Sequence, residues 1–323
     1  MTPVGILTAL AGTICWAICV FPFTKAGRLM SVTSMNLFRL ILGTLLIMLV
    51  ASIAETKNFF AVFSSAYSEA WLWFGLSGVI ALGIGDYFNY RMYVILSPRY
   101  GSALSTLSPA AALLFGILLL DEHMNLTGIA GMLITIIGVM SMSLGRTERS
   151  NIPDHGHGSI FEGILFGIIS AICNGAGLAF SKKGFLAQEK AGDVIRPITA
   201  SSLRFIIATL VVMLLVFINK KLISNLKNIR AQPLPTLAIA FSGIVFGPLL
   251  GVSFALTSIQ YIDVAVAQTI FALVPVVALL ISHFVYKERI TKHAFMGVIV
   301  AIAGVAILIW RLQIQDLFST FMN

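Results

Sequence analysis

Residues 107–122 read LSPAAALLFGILLLDE, and residues 273–288 read LVPVVALLISHFVYKE. In each stretch a proline (Pro109, Pro275) precedes a glutamate (Glu122, Glu288) by thirteen residues, with an apolar run between them. Nine residues past each glutamate comes a glycine (Gly131, Gly297), and seven further on another (Gly138, Gly304). The spacing is identical in both copies, so no insertion separates them. A period this long is not that of a solenoid. It marks two fused halves of one architecture.

The solvent of that architecture follows from composition. Of 323 residues, 58% are hydrophobic and 11% charged, about half the charged share of a soluble chain. Apolar runs of about twenty residues recur along the whole length, enough to cross a hydrocarbon core as helix. They lack the two-residue alternation of barrel strands. The net charge of +8 is no nucleic-acid signal, because most basic residues sit in short gaps where anionic headgroups lie. The three cysteines, Cys15, Cys19 and Cys173, fall inside apolar segments. That argues against a disulfide framework, and Cys15 with Cys19 reads as packing rather than a metal site. The first run has no basic region before it and no small-residue cleavage site, so it reads as a retained span.

The expected fold is all-α: a polytopic membrane protein with ten transmembrane helices in two inverted five-helix repeats. The spans are expected at Val4–Phe23, Val32–Ala54, Ala70–Ile95, Gly101–Leu120, Leu126–Gly145, Ile160–Phe180, Ile198–Ile218, Leu234–Thr257, Val264–Tyr286 and Ala294–Trp310. One repeat covers 4–145 and the other 160–311, joined by a linker at 146–159 and followed by a tail at 312–323. The halves also align near their starts. Gly5-Ile6-Leu7 matches Gly163-Ile164-Leu165, which sets Cys15 on Cys173 and Lys25 on Lys183, and Arg39 falls near Arg204. Five crossings per half is an odd number, so the second half enters the membrane the other way up. The paired glycines of the fifth and tenth spans lie two turns apart on one face and suit close helix packing.

Two stretches are too polar to span. Residues 219–232 and 313–321 are amphipathic and suit short helices lying in the interface. The positive-inside count alone places both termini outside.

Charge inside a span is expensive and faces a cavity or a partner. Arg39, Asp86 and Arg204 qualify. The arginines can also snorkel to headgroups. Asp86 is the deepest carboxylate, on a small and polar face formed by Gly78, Leu82, Asp86, Asn89 and Tyr93. It reads either as half of an ion pair with an arginine or as a coupling or substrate-binding group. Trp16, Asn174, Ser253, Gln260 and Gln268 are further candidates for a polar central cavity. Pro109 and Pro275 fall mid-span, where each removes a backbone hydrogen bond and bends its helix. Glu122 and Glu288 fall at span ends and suit capping or anchoring. Asp154-His155-Gly156-His157 resembles a metal tract but lies in the linker, and reads as a solvated loop. No metal, cofactor or catalytic residue is expected.

The doubled five-span unit, with its proline and glutamate near the end of the fourth span, resembles the drug/metabolite transporter superfamily, in its ten-span EamA-type branch. The resemblance covers Val4–Leu144 and Gly163–Trp310. It implies a basket of ten helices, a central substrate cavity, alternating access and cytoplasmic termini. Two departures stand out. The first span has Trp16 and no acid where the small four-helix drug exporters carry a glutamate. The lysine-rich set of a phosphate exchanger is also missing.

Three function classes remain. The leading one is a secondary transporter, an exporter of a small polar metabolite such as an amino acid or a related compound, in the cell (inner) membrane. The proton gradient or the substrate's own gradient would drive it, because no phosphate-binding glycine loop with lysine appears. An intramembrane enzyme on a lipid-linked substrate needs paired catalytic groups at one depth, and the sequence names no second catalytic group to go with His283. A passive channel or scaffold is the third. The expected partners are the substrate, the bilayer and protons, with no nucleic acid.

Overall fold

The computed structural model describes residues 2–54, 68–143, 158–287 and 291–315. Glu288, the His155 and His157 cluster and the end of the tail lie outside them. Every regular element among the described residues is helical. Helix α1 spans Pro3–Met30 and α2 spans Val32–Ala54. Helix α3 (Ser68–Ser77) runs through a π-helical segment (Gly78–Gly85) into α4 (Asp86–Ser105). Then come α5 (Ser108–Leu120), α6 (Leu126–Ser143), α7 (Ile160–Lys190) and α8 (Pro197–Ile218). Short α9 (Leu222–Arg230) has no buried residue, as expected of the amphipathic stretch around it. Helix α10 (Leu234–Ile244) passes through a second π segment (Val245–Gly251) into α11 (Val252–Ile259). The chain ends with α12 (Val264–Phe271), α13 (Val274–Tyr286) and α14 (Lys292–Ile309). Among the described residues nine helical stretches are long and apolar enough to cross a membrane, and Leu126–Met142 is a slightly shorter tenth.

Two expectations about helix breaks need correction. Pro109 and Pro275 do not bend continuous helices. Each sits in the first turn of a new helix, after a two-residue interruption at Thr106-Leu107 and Ala272-Leu273. Proline lacks an N–H, and the first turn is where none is needed. The gap expected between the third and fourth spans is not a separate loop, since helical structure runs on to Ser105. Yet Ser105 Oγ donates to Asn89 Oδ1 at 3.4 Å, where a straight helix would set them about 24 Å apart. The chain therefore reverses between them, and Gly101–Ser105 belongs to the fourth crossing. The first span is also longer than expected, reaching Met30.

Reciprocal contacts between equivalent residues show how the halves relate. Thr44 Oγ1 lies 3.2 Å from the Phe205 carbonyl oxygen, and Thr209 Oγ1 lies 3.2 Å from the Leu40 carbonyl oxygen. The two hydroxyls meet each other at 2.7 Å. Leu40 pairs with Thr209 while Thr44 pairs with Phe205, so the second and seventh spans run antiparallel about a local two-fold axis. The fifth and tenth spans repeat the pattern. A methyl group placed on Gly131 would lie 2.8 Å from the Gly304 carbonyl oxygen, and one on Gly138 would lie 2.9 Å from that of Gly297. The first span packs on the eighth and ninth, and the sixth packs on the third and fourth in the same way. The second half is thus an inverted copy of the first.

Candidate functional site

The first π segment positions the central ion pair. Asp86 N–H reaches back five residues to the Ala81 carbonyl. In an α-helix that proton would go to Leu82. The Leu82 carbonyl accepts instead from Arg39 Nη2 at 2.7 Å. Arg39 Nη1 lies 2.8 Å from Asp86 Oδ2. Arg39 Nε and Nη2 both donate to Asn36 Oδ1, at 3.2 and 2.9 Å. The guanidinium is 5.3 Å from the centre of the Tyr90 ring and 5.8 Å from that of Phe205. Arg39 is 1% exposed. It does not snorkel. A charge this deep persists because nearly every donor has an acceptor.

The pair borders a cavity of about 150 Å³ where the halves meet. A water molecule needs about 10–15 Å³ by this kind of measure, so a small solute fits. Trp16, Arg39, Asp86, Asn89, Asn174, Arg204, Gln268 and Pro275 all reach it. Sequence reasoning therefore chose residues from six spans that tertiary structure brings together. Asn174 is oriented by its own helix, since its Nδ2 donates to the Ser170 carbonyl and hydroxyl at 2.9 and 3.1 Å. Trp16 stands edge-on to Phe271, with ring centres 4.7 Å apart. Three candidates do not belong. Ser253 bonds its own helix through the Leu249 carbonyl. Gln260 is exposed beyond the end of α11. Pro109 is buried next to Ser108, which does line the cavity.

Some of the lining was missed in the sequence. Cys19, Val20 and Phe23 continue the Trp16 face at helical spacing, and that stripe was the available signal. Tyr90 was also missed. Its contact with Arg39 depends on the π segment, which has no reliable sequence mark beyond its glycines.

Glu122 lies outside the cavity and outside the spans, where it ties the halves together. Its Oε1 accepts from Lys182 Nζ at 2.7 Å, and its Oε2 accepts from Val264 N–H at 2.9 Å. The second contact caps α12, whose own N-cap Asp263 makes no side-chain cap and instead pairs with Arg311 Nη2 at 2.7 Å. A carboxylate at a helix N-terminus is stabilising. Lys182 also donates to the Ile262 carbonyl at 3.0 Å. The anchoring role expected of Glu122 fits this geometry. Burial holds its carboxyl above the usual carboxylate range, with Lys182 opposing the shift.

Glu122→Ala leaves two donors without their acceptor and should cost about 2–3 kcal/mol, read by unfolding in detergent. Glu122→Gln retains an acceptor and should cost less. Because the folded carboxyl holds its proton more tightly than the unfolded one, its contribution is full below the ordinary carboxylate pKa. It is lost as pH rises through the raised one. That segment of the stability–pH curve should flatten in Glu122→Gln.

Two inverted five-helix units around a hollow that bears charged and amide groups define a polytopic membrane transporter. The chain belongs to the EamA-like transporter family, whose family model matches residues 3–144 and 161–310. Protein LicB of Haemophilus influenzae (strain ATCC 51907 / DSM 11121 / KW20 / Rd) is 32% identical over 161 residues, 49% of this chain and 50% of that one. The matched part of the chain thus spans about half the length of this curated relative. A solved crystal structure of another protein covers 95% of this chain and 96% of its own, with a TM-score of 0.67 and 14% identity. At that identity the likeness concerns the fold.

Proposed function

We propose that the protein is a secondary carrier that moves a small polar metabolite, such as an amino acid or a related compound, by alternating access. The working direction is outward across the cell (inner) membrane. One observation carries this reading: a cavity lined by residues of both halves, with charged and amide groups set among apolar walls, lies between oppositely inserted units. Two such halves can exchange conformations at similar free energy, which exposes the same hollow to either side in turn. The central groups suit a solute held by a few polar contacts against aromatic walls. Trp16, Tyr90 and Phe271 supply the walls, while Asp86, Asn89, Asn174 and Gln268 supply polar atoms. Energy would come from the proton gradient or from the solute's own gradient.

The test is flux in liposomes holding the purified protein, with extracts of small metabolites as the first donor pool. Uptake of a solute that saturates and is accelerated by the same solute on the far side supports a carrier. Linear flux without such acceleration, or discrete conductance steps, would replace the carrier with a channel.

A further inference from the structure

The internal two-fold makes a comparison that neither half permits alone. The π segments end together at Gly85 and Gly251, and the residue after each reaches back five positions, Asp86 to Ala81 and Val252 to Gly247. That register sets Asp86 on Val252 and Leu82 on Pro248. The reciprocal contacts of Thr44 and Thr209 set Arg39 on Arg204. The repeat thus keeps both arginines and only one carboxylate. Arg39 has Asp86. Arg204 faces the same cavity with Val252 at the matching place.

Arg204 is buried, 4% exposed, and its Nε has no hydrogen-bond partner among the described residues. Nor does any of their carboxylates form an ion pair with it. Its guanidinium remains charged at neutral pH. A buried guanidinium with open donors is costly to keep and suits a planar, bidentate acceptor. Among the cavity-lining residues, two guanidinium charges meet one carboxylate charge, so a single negative group would balance them.

We infer that Arg204 is the docking group for the carboxylate of the transported metabolite, which takes against Arg204 the place that Asp86 takes against Arg39. Gln268 also lines the cavity and adds an amide donor there. The rest of the molecule packs on Trp16 and Phe271. A carboxylate matches the site better than a phosphate dianion, whose second charge has no further cation among the lining residues. The inference rests on the carrier reading for its biological sense. Its test does not require transport.

The purified chain in a neutral detergent is titrated with acetate, with acetamide as the uncharged isostere and with tetramethylammonium as the cation. A bulky sulfonate buffer holds the ionic strength. At about ten times its dissociation constant, a ligand should raise Tm by about 2 °C in a chain this long. Acetate should produce that saturable rise and acetamide should not. The rise should vanish in Arg204→Gln and in Val252→Asp, the second of which supplies the missing carboxylate from within. If Val252→Asp fails to fold, Arg204→Gln decides. The inference is overturned if acetate has no effect, if acetamide matches it, if the rise survives in Arg204→Gln, or if only tetramethylammonium stabilises. Saturable flux without acetate binding would remove the anion site and leave the carrier. Acetate binding without flux would do the opposite.

Discussion

Asp86→Asn should lower saturable flux at least tenfold and destabilise the protein by about 3–5 kcal/mol, the range for removing one partner of a buried ion pair. The cause is Arg39. Its guanidinium is buried beside Asn36 and the Leu82 carbonyl. Neither of these neutral acceptors replaces the carboxylate, so a positive charge is left without a counter-charge in a medium that cannot solvate it. Arg204 shares the cavity, so the mutant would hold two unbalanced guanidiniums. Loss of flux alone would not separate a structural role from a functional one.

The double variant Arg39→Met, Asp86→Leu makes that separation. Replacing both partners of a buried pair by apolar groups of similar volume is often neutral or stabilising. Unfolding in detergent should therefore return to within about 1–2 kcal/mol of the parent, while flux remains lost. A double variant that regains both stability and flux would reduce the pair to a structural element. The same measurement would then point to Arg204, Asn174 and Gln268 as the groups that hold the solute.

Gly138→Leu should be the most disruptive change outside the cavity, costing about 3 kcal/mol or more, at or beyond the upper end for overpacking. The fifth and tenth spans approach through backbone. A methyl group on Gly297 would lie 2.7 Å from the Gly138 carbonyl oxygen and 2.8 Å from Met142 N. A methyl group on Gly131 would lie 2.7 Å from Leu308 N. Backbone atoms have no rotamer by which to retreat, so the helices must separate. In lipid that forfeits the dispersion and close-approach contacts that hold such helices together. Monodispersity and resistance to unfolding should both fall. Leu133→Phe, on the same helix at a side chain that is 50% exposed, should leave both unchanged. Combining Gly138→Leu with Gly297→Leu should cost less than the sum, because the two positions press on one another. Strict additivity would mean that the two glycines do not share one contact.

Several features of the site could be read without coordinates because they depend on local chemistry. A charge inside a twenty-residue apolar run cannot face lipid at low cost, which singled out Arg39, Asp86 and Arg204. Small and polar residues at helical spacing brought in Asn89, and the match between halves brought in Trp16 and Asn174. The readings that failed depended on how the backbone is bonded. Pro109 and Pro275 were expected to bend helices, whereas the chain interrupts the helix just before Ser108 and Val274 and places each proline second in the new helix. Ser253 and Gln260 had the right chemistry, but one faces its own helix and the other faces outward.

Hydropathy and the repeated spacing by themselves determined that this chain is a membrane protein of two inverted five-helix units, because the cost of exposing polar backbone to lipid admits few alternatives. The glycine pairs of the fifth and tenth spans were determined in the same way. Only the tertiary structure decided which arginine Asp86 neutralises, which donors Glu122 satisfies, and that Arg204 has a valine where its twin has a carboxylate. Those outcomes depend on distances between groups up to 142 residues apart, as with Glu122 and Val264, and on carbonyls released by π-helical turns. Composition and spacing along one strand of sequence carry no record of either.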